Sequence, residues 1–208
     1  MRIGILQAGK VSEPLARDHG QYPAMFERLL GGADPGLAFR TYAAVEGELP
    51  TSPADCDAWL VTGSRHGVYD PLPWIAPLGE FLRSARAARR PIVGVCFGHQ
   101  MLAQAFGGHA EKSDRGWGIG LHRYEILARP GWMADAPETL ALHAVHQDQV
   151  TALPPHATRL AESAFCPHAM LAYGDPEAPE AISLQPHPEF SADFTRAIVE
   201  MRRGDAIP

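Results

Sequence analysis

The sequence predicts an α/β chain: a doubly wound, mostly parallel sheet with helices on both faces and added antiparallel strands. Three observations carry this. Short apolar runs alternate with stretches of helical period through the first half. The second half holds a succession of short strand-like runs separated by turns. The length, 208 residues, suits one domain spanning 1–208 and is enough to bury a single core.

Arg2–Leu6 reads as the first strand. Met25, Phe26, Leu29 and Leu30 fall at helical spacing, with Gly31-Gly32 expected to stop that helix. Leu37–Val45 and Asp57–Thr62 read as strands. The next helix places Trp74, Leu78, Phe81, Leu82 and Ala85 on one face. Arg83, Arg86, Arg89 and Arg90 lie mostly on the other side and are expected to be solvated. Ile92–Val95 is a short buried strand, and Met101, Leu102, Ala105 and Phe106 stripe the helix after it. Gly107-Gly108 ends that helix. Strands follow near Ile119–Leu127, Leu140–Val145, Thr158–Ser163, His168–Tyr173 and Ala181–Gln185. A closing helix carries Phe194, Ala197, Ile198 and Met201, with Gly204 beyond it.

Composition excludes several classes of function. Apolar residues at 46% and charged residues at 20% rule out disorder as the overall state. The net charge is −6, and no basic run exceeds Arg89-Arg90 or Arg202-Arg203, which argues against a nucleic-acid partner. The longest uncharged stretch, 91–108, holds His99, Gln100, Gln104 and several glycines and makes a poor membrane span. The start, MRIGILQAG, enters a strand with no leader-like segment. Three scattered cysteines suit neither a disulfide framework nor a zinc site, and a reducing cytoplasm is the expected compartment. His143 and His146 are three apart in a segment that does not read as helix, so no metal is expected. Neither phosphate-binding glycine motif is present, and no cofactor is expected.

The segment IVGVCFGHQML carries the strongest chemical signal. Cys96 sits where a short strand meets a helix, with Gly94 two residues before and Gly98 two after. A nucleophile on such a strained elbow needs small neighbours, and the turn exposes its sulfur at the carboxyl end of the sheet. The helix N-terminus then faces the sulfur, favouring thiolate and offering N–H groups to an oxyanion. Cys56 and Cys166 lack this context and read as buried structural residues. The base is sought in SLQPHPEF, 187 − 96 = 91 residues downstream. His187 precedes Pro188, which favours extended backbone, so Glu189 falls on the same side. A carboxylate there can hold one imidazole nitrogen and leave the other for a thiol.

GVCFGHQ together with QPHPE resembles the class I, triad-type glutamine amidotransferases. VTGS at Val61–Ser64 matches the family's oxyanion loop, and HQDQV at His146–Val150 its segment beside the glutamine pocket. The motifs fall in the family's order, so the resemblance covers essentially the whole chain and implies its flavodoxin-like fold. It implies a catalytic triad of Cys96, His187 and Glu189, and an oxyanion hole from the N–H groups of Gly63 and Phe97. It implies substrate contacts from Ser64, Gln100, His146 and Gln147. Ser64-Arg65 stands where many members carry a second glycine, so that turn is built differently, and Arg65 offers a charge for a carboxylate.

GQYPAMFERLL, GELP, TGSRHGVYDPLPWI and CFGHQ further resemble stand-alone members, among them plant γ-glutamyl peptidases and proteins similar to the glutaminase part of GMP synthase. The implied activity is hydrolysis of the γ-amide of glutamine or of a γ-glutamyl compound through a cysteine thioester. Three readings stay open: a free-standing γ-glutamyl peptidase, a glutaminase passing ammonia to a separate synthetase subunit, and a non-catalytic regulatory or binding protein. The intact set of triad residues speaks against the last.

Overall fold

The computed structural model describes residues 1–207. β1 (Arg2–Leu6) leads through α1 (Glu13–His19) and α2 (Tyr22–Ala33) to β2 (Ala38–Tyr42). β3 (Ala58–Val61), α3 (Ile75–Ala87), β4 (Ile92–Val95) and α4 (Phe97–Ala105) follow. Then come β5 (His109–Lys112), β6 (Gly118–Ile126), β7 (Thr139–His146), β8 (Asp148–Ala152), β9 (Ala157–Glu162), β10 (Met170–Tyr173) and β11 (Ala181–Leu184). α5 (Ala192–Arg202) closes the succession.

The main sheet has the order β2-β1-β3-β4-β11-β10-β9-β6-β7. β2, β1, β3, β4 and β11 run parallel. β10, β9, β6 and β7 extend the sheet antiparallel. The parallel part has the doubly wound order with a switch point between β1 and β3. Side-chain alternation divides the core accordingly. Ile3, Ile5, Leu60 and Val95 meet Phe26 of α2 on one face. Leu6, Trp59, Val61 and Ile92 meet Leu78, Phe81 and Leu82 of α3 and Leu102 of α4 on the other. Trp59 is fully buried and packs edge-on to Phe81, with ring centroids 4.8 Å apart.

Several details differ from what the sequence suggests. α2 runs through Gly31-Gly32 to Ala33, and the Asp34 N–H still donates to the Leu30 carbonyl at 2.9 Å. Neither glycine has a positive φ, so both serve as ordinary helical residues. β2 ends at Tyr42, because the chain turns into a 3-10 segment at Ala44–Glu46, where the Val45 N–H reaches the Gln7 carbonyl. α1 and the antiparallel β5–β8 pair have no counterpart in the periodicity. α1 buries no residue fully, and β5 and β8 form a small second sheet. Arg86 departs from the solvated face: it pairs with Glu180 at 2.6 Å and lies over the Phe106 ring.

The helix after the elbow ends as expected. Gly107 adopts φ 97°, and the Gly108 N–H reaches back to the Ala103 carbonyl at 2.9 Å. This is a Schellman closure, which needs a left-handed residue. At the other end, α4 lies against the sheet with no space for side chains. A Cβ on Gly94 would stand 2.4 Å from the Gly98 carbonyl oxygen, and one on Gly98 would stand 2.4 Å from that of Val61. We expect Gly98→Ala to lower stability by about 1–3 kcal/mol through overpacking. Gly32→Ala, whose Cβ meets nothing within 4 Å, should be neutral or raise stability by up to about 1 kcal/mol. Urea unfolding of the two variants beside wild type reads both effects.

Candidate active site

β1, β3, β4 and β11 are parallel neighbours, so the loops leaving their carboxyl ends converge on one edge. Cys96 follows β4, Gly63 lies just beyond β3, and His187 lies just beyond β11. The topology therefore gathers residues that are far apart in the chain.

Cys96 is the N-cap of α4 and adopts φ 53°, ψ −103°. A non-glycine residue there costs about 1–3 kcal/mol and persists only where its surroundings hold it. Its N–H donates to the Leu184 carbonyl at 2.8 Å, and its carbonyl accepts from the Gln100 N–H at 3.1 Å. Its side chain stands at the start of the helix, next to Gly63, where a Cβ would lie 3.7 Å from that of Cys96. Among the described residues, neither the Gly63 N–H nor the Phe97 N–H has a protein acceptor.

His187 is almost fully buried. Its N–H donates to the His143 carbonyl at 2.8 Å, tying the loop to β7. Its Nδ1 lies 2.8 Å from Glu189 Oε1, and the Glu189 side chain is wholly buried. Its ring stacks on Phe190, with centroids 3.8 Å apart and planes 7° from parallel. The Tyr22 ring also lies nearly parallel to Phe190, with centroids 6.1 Å apart and planes at 13°. Burial alone would push the imidazole pKa down. The Glu189 carboxylate, with charge and hydrogen-bond contributions from Cys96, outweighs burial and lifts it to about 10. The proton of the pair therefore rests on His187 across the neutral range. The other buried histidines behave oppositely. Burial drives His146 down to about 4 and His99 down to about 3, so both are neutral.

A cavity of about 220 Å³ opens over Cys96. Ser64, Gln100, His146 and Gln147 all line it, as does the exposed Arg65. The Gln100 amide is already engaged: its Nε2 donates to the Asp148 carbonyl at 3.0 Å and to Gln185 Oε1 at 3.1 Å. The same carbonyl lies 3.1 Å from His146 Nδ1. Gln100 and His146 thus brace the 146–148 segment, while His146 Nε2 is buried without a protein partner among the described residues. The wall also holds residues that sequence reasoning did not single out. Tyr69 donates to Asp148 Oδ2 at 2.8 Å and latches the loop after β3 to β8. Lys112, Trp117 and Arg202 complete that side. Phe190 follows HPE directly and was within reach of a sequence argument, whereas Arg202 stood only as half of a basic pair. Cys56 and Cys166 are buried away from the cavity.

The comparisons with known proteins agree with this architecture. The family described as glutamine amidotransferase class-I matches residues 51–199. Gamma-glutamyl peptidase 3 of Arabidopsis thaliana is 28% identical over 207 residues, covering 96% of this chain and 81% of that protein. A glutamine-hydrolyzing GMP synthase subunit of Methanospirillum hungatei is 32% identical over 105 residues, covering 50% of this chain and 54% of that one. Among solved structures, a glutamine amidotransferase from Methylobacillus flagellatus superposes with a TM-score of 0.79 at 26% identity, covering 96% of this chain and 75% of that one. Among the described residues, no helix is long and apolar enough to cross a membrane. With its parallel sheet, its cysteine elbow and a family match over most of its length, the chain belongs to the class I glutamine amidotransferases.

Proposed function

We propose that this protein hydrolyses the γ-amide bond of glutamine or of a γ-glutamyl compound through a thioester on Cys96. The observation that carries the reading is the convergence of Cys96 with the buried His187–Glu189 pair and with the Gly63 and Phe97 N–H groups, which have no protein acceptor among the described residues. Cys96 Sγ attacks the γ-carbonyl carbon, and the carbonyl electrons move to oxygen. The Gly63 and Phe97 N–H groups receive that oxyanion, each such donor being worth roughly 10²–10³ in rate. His187 passes its proton to the leaving nitrogen as the C–N bond breaks. Water then attacks the thioester, giving a proton to His187 as the C–S bond breaks. Glu189 holds the imidazole orientation, as the acid of a triad does. The cytoplasm is the compartment this chemistry suits, since a free thiol must stay reduced.

Two routes use the same chemistry. In one, ammonia from glutamine passes to a separate synthetase subunit, which the likeness to the GMP synthase protein suggests. In the other, the enzyme is a free-standing γ-glutamyl peptidase. The peptidase route is favoured by relatives of that name, four of which align over at least 91% of this chain.

Cys96→Ser should lower kcat/KM on glutamine and on γ-glutamyl dipeptides by at least about a thousandfold while the melting temperature stays near that of wild type. Activity within tenfold of wild type removes Cys96 from the mechanism. Brief treatment with iodoacetamide at neutral pH should label Cys96 first. Burial raises the Cys56 thiol and pushes Cys166 up to about 12. Mass spectrometry gives the order, and either other cysteine leading contradicts the assignment. Stability should also depend on pH through His187. Its folded pKa, about 10, exceeds the usual value near 6.5, so the folded state binds the extra proton between them. The stability that His187 contributes is complete below pH 6.5 and is lost as the pH rises towards 10. The unfolding free-energy difference between wild type and His187→Gln should therefore shrink over that window, and a difference that grows with pH contradicts it.

A further inference from the structure

In the proposed reaction the His187 proton goes to the leaving nitrogen. Whatever that nitrogen carries must then lie on the His187 side of Cys96. On that side a small crevice, about 10 Å³, runs between Val145, Phe190, Ile198 and Tyr22. It shares Ser64, Cys96, Val145 and Arg202 with the main cavity. A substituent on the leaving nitrogen has its path along this shared wall. Arg202 is the one arginine or lysine on both sides of the junction.

Arg202 is half-buried, and among the described residues it pairs with no carboxylate. Its positive charge acts on the Tyr22 hydroxyl, which is itself nearly fully buried and lines the same crevice. Its backbone is pinned. The Arg202 carbonyl accepts from the Ile207 N–H at 3.0 Å and from the Asp205 N–H at 3.3 Å. Ile207 packs into the cluster that holds Tyr22, Phe190 and Ile198. A half-buried guanidinium without an acid partner, on the leaving-group side of a nucleophile, suits a planar anion. In an N-linked amino acid the carboxylate lies two bonds from the scissile nitrogen, whereas in glutamine that nitrogen carries only hydrogen.

We propose that Arg202 selects substrates whose leaving amine bears a carboxylate, so that the preferred class is γ-glutamyl amino acids with a free α-carboxyl group. This rests on the γ-amide hydrolase reading and adds a substrate class to it. Val145, which lines both spaces, supplies apolar surface beside that path. Arg65, exposed on the loop after β3, is not required for this contact.

The test is kcat/KM on γ-glutamyl-alanine and on γ-glutamyl-alaninamide, compared as a ratio within each protein, together with kcat/KM on glutamine. Wild type should favour the acid by about tenfold or more, the usual scale of one charge-assisted hydrogen bond. Arg202→Gln should bring the ratio to near one, and Arg202→Lys should keep part of the preference. The ratio is insensitive to a general loss of activity, and a thermal melt of each variant checks folding. If Arg202→Gln does not fold, the wild-type ratio and Arg202→Lys decide. A wild-type ratio near one, or an undiminished ratio in Arg202→Gln, overturns the inference. Cys96-dependent turnover of glutamine without acid preference overturns it alone and leaves the hydrolase reading standing. No turnover on all three compounds overturns both.

Discussion

The contact between α4 and the sheet governs the whole arrangement. Gly94 and Gly98 let the helix approach so closely that a Cβ on either would collide with backbone. That approach forces the chain through a sharp turn at Cys96, which takes a left-handed conformation it would otherwise avoid. The local strain is offset by the burial of Leu102, Met101 and Phe97 beneath the helix. The first peptide N–H groups of α4 are thereby left without partners inside the helix, at the positive end of its dipole. Packing and chemistry are thus the same feature, described from two sides.

A second constraint is electrostatic. Glu189 and His187 are both removed from water, and each is costly there without the other. The pair is held by an aromatic layer in which Tyr22 and His187 both lie nearly parallel to Phe190, and Phe194 meets Phe190 edge-on. The stacked ring fixes the plane of the imidazole, and the carboxylate fixes its rotation. The buried histidines nearby, His99 and His146, have no carboxylate and stay neutral. Burial is common to all three, so the partner decides the charge.

What the sequence disclosed follows from how local each feature is. The elbow occupies consecutive residues, and His187 and Glu189 are two apart, so strand and turn rules reach them. The parallel half was legible because its strands and helices each carry a full apolar face. α1 lacks such a face, and β8 buries only Val150 among its apolar residues. Both are held by tertiary partners, α1 by α5 and β8 by β5. Gly31-Gly32 misled because a glycine pair marks a helix end only where one member turns left-handed, as Gly107 does. Tyr22, Phe190 and Arg202 come together from opposite ends of the chain, and no spacing rule connects such positions.

The added antiparallel strands have a consequence of their own. The backbone N–H of His187 is held by the carbonyl of His143, on the strand at the outer margin of the sheet. Margins of sheets open at lower free energy than their centres. The loop that carries His187 is therefore attached to one of the first parts of the molecule to loosen on warming, while Cys96 sits on one of the last. Heat would disassemble the constellation from one side, and the elbow would outlast the histidine beside it.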